Sequence, residues 1–272
     1  MLFTMMIGLD GSGRSECAAQ CAKMVVQDER EALKALEGGM DVALDGCNLS
    51  ARQRKAMLER IKKTGCTARA VVCARRVADC ILSCPDRREE IWKQYLAFTP
   101  PQAYEGWDRI ELRYAEDTQF TSPDELFYGK DGLIYFAQDN PYHTHSVGMH
   151  CIYAARNAAR LRPDDPAMWL AALLHDIGKA QTKSFTDSHG NPSSTAHYYG
   201  HELASAYESL FVAFPRAVPE TERLRVSAMI AWHMTPFHFT NEKTRSRYLR
   251  LWGEEFLRDM LIIERSDREA QR

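Results

Sequence analysis

All nine histidines of this 272-residue chain lie between His143 and His238, and the first 142 residues hold none. Four of them stand with two aspartates in a metal-ligand pattern: His150, the doublet His175-Asp176, His201, His233 and Asp267. Imidazole is the commonest protein metal ligand, and carboxylates complete sites for hard or borderline divalent ions. The pattern predicts a metal-dependent hydrolytic site confined to the C-terminal half. Ligands of this kind without cysteine suit Mn, Fe, Co, Ni or Zn, and suit Mg less well.

Helical phase adds to the pattern. Val226, Met229, Ile230 and His233 recur at three- and four-residue steps, so His233 is expected on a buried face. Met260, Ile263 and Asp267 do the same. A lone inward histidine is usually a hydrogen-bonded core residue. Six inward polar groups on separate segments need a shared partner, because each buried ionisable group costs free energy unless compensated.

The bulk numbers frame this site. The length suggests two domains or one large one. A hydrophobic fraction of 45% is ample for cores, and a net charge of −2 argues against a generally basic nucleic-acid coat. Seven of the eight cysteines precede residue 85 without a C-x-x-C pair, which predicts reduced, mostly buried thiols in a cytoplasmic protein. Met1–Leu9 is apolar but lacks a basic flank, and reads as a buried strand rather than a signal peptide. No stretch reaches the length of a membrane span. Oligomeric state is not legible.

The first half alternates strand-like segments (Leu2–Gly8, Asp41–Asp45, Thr67–Cys73, Arg109–Tyr114) with helical ones (Arg14–Gln27, Ser50–Thr64, Arg87–Phe98). That alternation predicts a parallel sheet covered by helices. Turn residues then cluster between Thr121 and Pro141, and after His145 the pattern is helical almost throughout, including Pro166–Leu174, Glu202–Phe214, Glu222–His233 and Glu254–Asp267. The expected division is residues 1–117 and 118–272, with a linker about 115–135. Basic runs at Arg52–Lys63 and Lys243–Arg250 read first as solvated faces; the second is close enough to His233 to edge the metal site.

Ala171-Ala-Leu-Leu-His-Asp-Ile-Gly-Lys179 resembles the signature of HD-domain metal-dependent phosphohydrolases. Phe136–His150, Tyr199-Gly-His-Glu202 and Ser266-Asp-Arg-Glu-Ala-Gln271 resemble further motifs of that family, in order, over roughly residues 130–272. The resemblance implies an all-helical fold around one or two divalent ions, and hydrolysis of a phosphate ester. It implies a first ion at His150, His175 and Asp267, and a second held by His201 and His233, with Asp176 bridging. It also implies catalytic roles for His175 and Asp176, and a substrate-phosphate contact for Lys179; an exposed helix-end cation is the plainer alternative for Lys179. His143, His145, His189, His197 and His238 are expected at the surface or as residues that orient ligands.

In the N-terminal half, Gly8-Leu-Asp-Gly-Ser-Gly13-Arg-Ser15 follows an apolar strand and precedes a helix, as a P-loop requires. Gly8, Gly11, Ser12, Gly13, Arg14, Ser15 and Asp45 are the candidate nucleotide-binding residues, with ATP or GTP as candidate ligand. Arg14 stands where lysine is expected, and a forked guanidinium is not an equal substitute. Residues 1–113 resemble the polynucleotide-kinase-like P-loop family through this loop, Asp41–Ser50, Phe98–Pro101 and Glu105–Ile110. Against that family, Arg14–Gly39 reads as helix running directly into helix, without the strand that carries the proton-accepting aspartate. The arginine-bearing lid around Ala74–Arg88 is short. Asp45 either approaches Mg²⁺ through water or caps a turn.

The expectation is therefore a multidomain protein: an N-terminal α/β P-loop domain of degenerate kinase type and a C-terminal all-α HD domain. Its expected activity is hydrolysis of a phosphorylated nucleotide or RNA end, with a 2′-phosphate or 2′,3′-cyclic phosphate as family-inspired substrates. The alternatives are a bifunctional end-healing kinase and phosphatase, and a nucleotide-sensing or RNA-binding regulatory module.

Overall fold

The computed structural model describes residues 1–141 and 144–271. Its contacts divide the chain into two units, Met1–Gln119 and Phe120–Arg272.

The first unit is an open five-stranded parallel sheet in the order β2-β3-β1-β4-β5. The strands are β1 (Leu2–Ile7), β2 (Met24–Val26), β3 (Val42–Leu44), β4 (Thr67–Ala74) and β5 (Arg109–Tyr114). Parallel strands buried on both faces need near-continuous apolar runs. β1 supplies one: Phe3, Met5, Met6 and Ile7 are all fully buried. Helices α1 (Arg14–Cys21), α2 (Glu29–Glu37), α3 (Ala51–Ile61), α4 (Val77–Ser83) and α5 (Arg88–Tyr95) connect the strands. Ala18 of α1 packs on Met6, Ala43, Val71 and Cys73 of the sheet. The connections leaving β1 and β3 diverge to opposite sides of β1. The loop after β1 thus lies at the carboxyl edge, at the switch point where open α/β sheets form ligand crevices.

Two expectations for this unit are corrected. Arg14–Gln27 is not one helix: α1 ends at Cys21, and Met24–Val26 forms an edge strand paired to β3. There is room for the strand because Val25 and Val26 are β-branched, which favours extended backbone. The aspartate after it is used locally: Asp28 caps α2 by accepting from the backbone N–H of Arg30 and Glu31. The Arg52–Lys63 run is not a uniformly solvated face either. Arg54 is fully buried in a two-pronged ion pair with Glu105 (2.7 and 2.8 Å) and donates to the carbonyls of Asn48 and Leu49.

The second unit is built on helices α6 (Pro123–Tyr128), α7 (Val147–Leu161), α8 (Pro166–Leu174), α9 (Lys179–Thr182), α10 (His201–Ser209), α11 (Arg223–Trp232) and α12 (Glu242–Glu269). α8 is apolar on nearly every side and is the central helix, in contact with α7, α11 and α12. Its start is fixed by Asp165, whose side chain accepts from the backbone N–H of Met168, and by Pro166 in the first turn. Helix α12 is longer than the predicted Glu254–Asp267 and is broken at Gly253, where φ is +78°. The unit is not all helical. An antiparallel hairpin, β6 (Ser184–Thr186) and β7 (Pro192–His197), is inserted between α9 and α10. Its sequence is short and polar, so it lacks the apolar alternation that marks a half-buried strand. No helix among the described residues is long and apolar enough to cross a membrane.

Removing Arg54 would strand the Glu105 carboxylate in the core. Arg54→Ala is expected to destabilise the first unit by about 3–5 kcal/mol in urea unfolding; a change under about 1 kcal/mol would show that Glu105 finds solvent or another partner.

Candidate metal centre

Five segments bring the six predicted ligands together. His150 lies in the first turn of α7, where Ser146 caps the helix by accepting from the Met149 N–H. His175 and Asp176 follow directly on α8. The chain then turns at Gly178, where a Cβ would stand 2.4 Å from Ser205 N and 2.6 Å from the His201 carbonyl oxygen. Only glycine lets this turn press against α10, which starts at His201. His233 ends α11, and Asp267 lies in the last turns of α12. All but His201 are under a tenth exposed.

Each of the four imidazoles directs Nδ1 at a backbone carbonyl: His150 at Ala270 (3.3 Å), His175 at Ala172 (2.8 Å), His201 at Tyr198 (2.8 Å) and His233 at Ile230 (2.8 Å). A carbonyl only accepts, so each Nδ1 carries the proton and each Nε2 is left to face the centre. The Nε2 atoms of His150 and His175 are 3.2 Å apart. Around them, Asp267 Oδ1 is 3.0 Å from His150 Nε2 and 3.7 Å from His175 Nε2, and Asp176 Oδ2 is 3.4 Å from both. The other Asp176 oxygen, Oδ1, is 3.2 Å from His201 Nε2 and 3.9 Å from His233 Nε2. Asp176 therefore faces two groups of nitrogens, one with each oxygen.

This donor set fits a divalent cation. Two neutral imidazoles aim lone pairs at one another, which is unfavourable without a cation or proton between them. His233 Nε2 is buried with no hydrogen-bond partner among the described residues, a cost that ligation would remove. His150, His175 and Asp267 form one set of ligand atoms close enough to share an ion, and His175, Asp176 and His233 form another.

Charge is distributed to match. Burial disfavours the His175 imidazolium, but Asp176 and a hydrogen bond to Asp267 outweigh it and hold its pKa well above the usual value. Burial followed by repulsion from His175 and His201 pushes His233 down to about 3. Burial opposes ionisation of Asp176, yet Lys179, His175 and His201 keep its pKa well below the ordinary carboxylate range. Burial is likewise overcome at Asp267 by hydrogen bonds from His150 and His175.

Lys179 is buried, not an exposed helix-end cation. Its Nζ is 2.7 Å from Asp176 Oδ2 and donates to Gln138 Oε1 at 2.8 Å. Gln138 and Tyr198, whose hydroxyl donates to the Gln138 carbonyl, support the site without having been predicted. Both lie in irregular segments, where no periodicity marks an inward side chain; the only signal was Gln138 falling inside the Phe136–His150 motif. A cavity of about 320 Å³ opens on the cluster, lined among others by Asp176, Lys179, His201, His233 and Asp267. Of the remaining histidines, His145 packs edge-on against Tyr153 (4.9 Å), His189 and His238 are exposed, and His197 borders the cavity. His143 lies outside the described residues.

Residues 142–270 match the sequence model of the HD domain family. The match lies wholly in the second unit and contains all six ligand candidates, which supports a metal-dependent hydrolase. No curated protein matches the chain.

In the first unit, the Gly8–Ser15 loop runs from β1 into α1, with Gly11 and Gly13 at φ +79° and +80°. A Cβ on Gly11 would meet the Cys80 carbonyl at 2.6 Å, so α4 closes on the loop only because glycine is there. Arg14 turns back into the protein. Its Nε donates to Asp45 (2.8 Å), Nη1 to the Gly8 carbonyl (2.9 Å), and Nη2 to Asp10 (3.3 Å). Ser15 Oγ donates to the other Asp45 oxygen at 2.6 Å. Asp10, missed in the sequence, is held by Gln94 (2.6 Å) and Arg87 (2.8 Å). Burial works against its ionisation, but Gln94, Arg14 and Arg87 together lower its pKa. Ser12, within the loop, is buried, and its Oγ has no hydrogen-bond partner among the described residues. Asp45 is thus engaged by Arg14 and Ser15 rather than free at a strand end.

With its pKa raised in the free site, His175 must lose a proton before its Nε2 can bind a cation. Metal affinity is therefore expected to fall as pH is lowered, with proton release on binding. Calorimetry in two buffers of different ionisation enthalpy would read that release; identical heats would contradict it.

Proposed function

We propose that the second unit is a divalent-metal-dependent phosphohydrolase acting on a phosphorylated nucleotide or RNA end. The observation that carries this reading is the convergence of four inward Nε2 atoms and two carboxylates beside a buried lysine, with Asp176, Lys179, His201, His233 and Asp267 reaching a cavity. His150, His175 and Asp267 would hold one ion, and His201 and His233 a second, with Asp176 shared between them. Mn, Fe, Co, Ni, Zn and Mg remain the candidates. When bound, such ions neutralise phosphate charge and lower the pKa of water toward about 7.

The chain's own residues do the rest. Lys179 Nζ, fixed by Asp176 and Gln138, presents N–H donors and a positive charge to a phosphoryl oxygen entering the cavity. The backbone carbonyls that accept from Nδ1 hold each ring in one tautomer. Such orienting partners are worth about 10–100-fold in metal affinity or activity. A 2′-phosphate or 2′,3′-cyclic phosphate is the favoured substrate chemistry.

For the first unit, we propose nucleotide or RNA-end binding, or scaffolding, without phosphoryl transfer. A cavity of about 560 Å³ borders the loop, lined by Arg14, Arg75 and Arg87 together with the carboxylates Asp10, Glu16 and Asp45. The supporting observation is that Arg14 is committed to Asp45, Asp10 and Gly8, so it is not extended toward a γ-phosphate. All eight cysteines are free thiols, in keeping with a cytoplasmic location.

His175→Ala and Asp176→Ala are each expected to lower hydrolysis of phosphomonoesters and cyclic phosphates by more than about 100-fold, with loss of bound metal. Turnover unaffected by metal removal would sink the proposal. No labelled γ-phosphate is expected to reach a 5′-hydroxyl oligonucleotide; efficient transfer would restore the bifunctional alternative.

A further inference from the structure

The hairpin β6–β7, absent from the predicted fold, ends beside the metal cavity. His197 closes β7, and Tyr199 follows it. The two rings are parallel to within 6°, with centroids 5.4 Å apart. They are also pinned: Ser193 Oγ lies 3.0 Å from His197 Nε2, and the Tyr199 hydroxyl lies 3.2 Å from His197 Nδ1. Despite this fixed geometry, Tyr199 is 52% exposed, so its ring is not there to fill the core.

Gly200 then takes the left-handed conformation (φ +76°) and turns the chain into α10. As a result Tyr199 and His201 line the same cavity, although only two residues apart. His201 Nε2 is 3.2 Å from Asp176, at the phosphate end of that cavity. Met234 and Phe237 also line it, and the Arg268 guanidinium lies 5.7 Å from the centre of the Phe237 ring. The volume of about 320 Å³ falls in the range of small-ligand sites, and aromatic side chains and Met234 beside a few convergent polar groups suit such a site.

From this arrangement we infer that His197 and Tyr199 form a stacking shelf for the nucleobase of a substrate whose phosphate reaches Lys179 and the histidine–aspartate cluster. The inference rests on the hydrolase reading and adds the means of recognition: the nucleotide or nucleotide terminus is held by its base, which a sugar phosphate lacks. A sugar phosphate has no flat face for this shelf. Stacking on an aromatic side chain tolerates any base, so purine and pyrimidine nucleotides should both bind.

The test is a binding measurement. Calorimetry on the full chain would compare the 2′-, 3′- and 5′-monophosphates of adenosine with ribose 5-phosphate. At least one adenosine phosphate is expected to bind roughly tenfold more tightly than ribose 5-phosphate. Tyr199→Ala should shrink that ratio to about twofold, and Tyr199→Phe should keep most of it. Metal content should stay at the wild-type level in both variants. Equal binding of the two ligand classes by the wild type, a ratio unchanged in Tyr199→Ala, or no binding of either class would overturn the shelf. Failure of the hydrolase reading looks different: base-dependent binding would persist, while the metal-loaded protein hydrolysed no phosphate ester.

Discussion

Four backbone carbonyls set the chemistry of this protein. Each accepts the Nδ1 hydrogen of one histidine, and so decides which nitrogen faces inward. For His175, His201 and His233 the carbonyl lies three residues earlier in the chain, on Ala172, Tyr198 and Ile230. A histidine at or near a helix end can fold back in this way without help from another segment. Only His150 borrows a distant partner, Ala270 beyond the end of α12. Orientation of the cluster is thus mostly local, and the tertiary fold has only to bring the helix ends together.

That task falls to the apolar helix α8 and to close approach at Gly178. Two acids, one lysine and several imidazoles are taken out of water here, and desolvation opposes the charge on each acid. The cost is met by mutual pairing: Asp176 with Lys179 and His201, and Asp267 with His150. A pocket held by opposed charges in this way is poised for a cation, because an ion can replace the proton on His175 and satisfy the idle nitrogen of His233. The loop in the first unit shows the contrasting outcome. There Arg14, Asp45 and Asp10 satisfy one another.

Much of this was legible in the sequence, for physical reasons. His233 and Asp267 could be placed inward because three- and four-residue spacing is fixed by helix geometry. The strands around β1 were legible because a parallel sheet demands continuous apolar runs. The edge strand Met24–Val26 was not, since three residues between two helices carry too little pattern. The β6–β7 hairpin was hidden because its strands are short and polar. Arg54 and Lys179 show a related gap: a cation reads as solvated until the carboxylate that receives it, Glu105 or Asp176, is located in space. Gln138 and Tyr199 sit in irregular backbone, where side-chain direction follows no period at all.

Anomalous diffraction from crystals grown with Mn²⁺, with data collected above and below the metal edge, tests the central claim most directly. The account predicts one or two peaks within about 2.0–2.3 Å of Nε2 atoms from His150, His175, His201 or His233, with an Asp176 oxygen among the ligands. Protein grown with the metal that shows no peak at this cluster, or only peaks held by other residues, would contradict it.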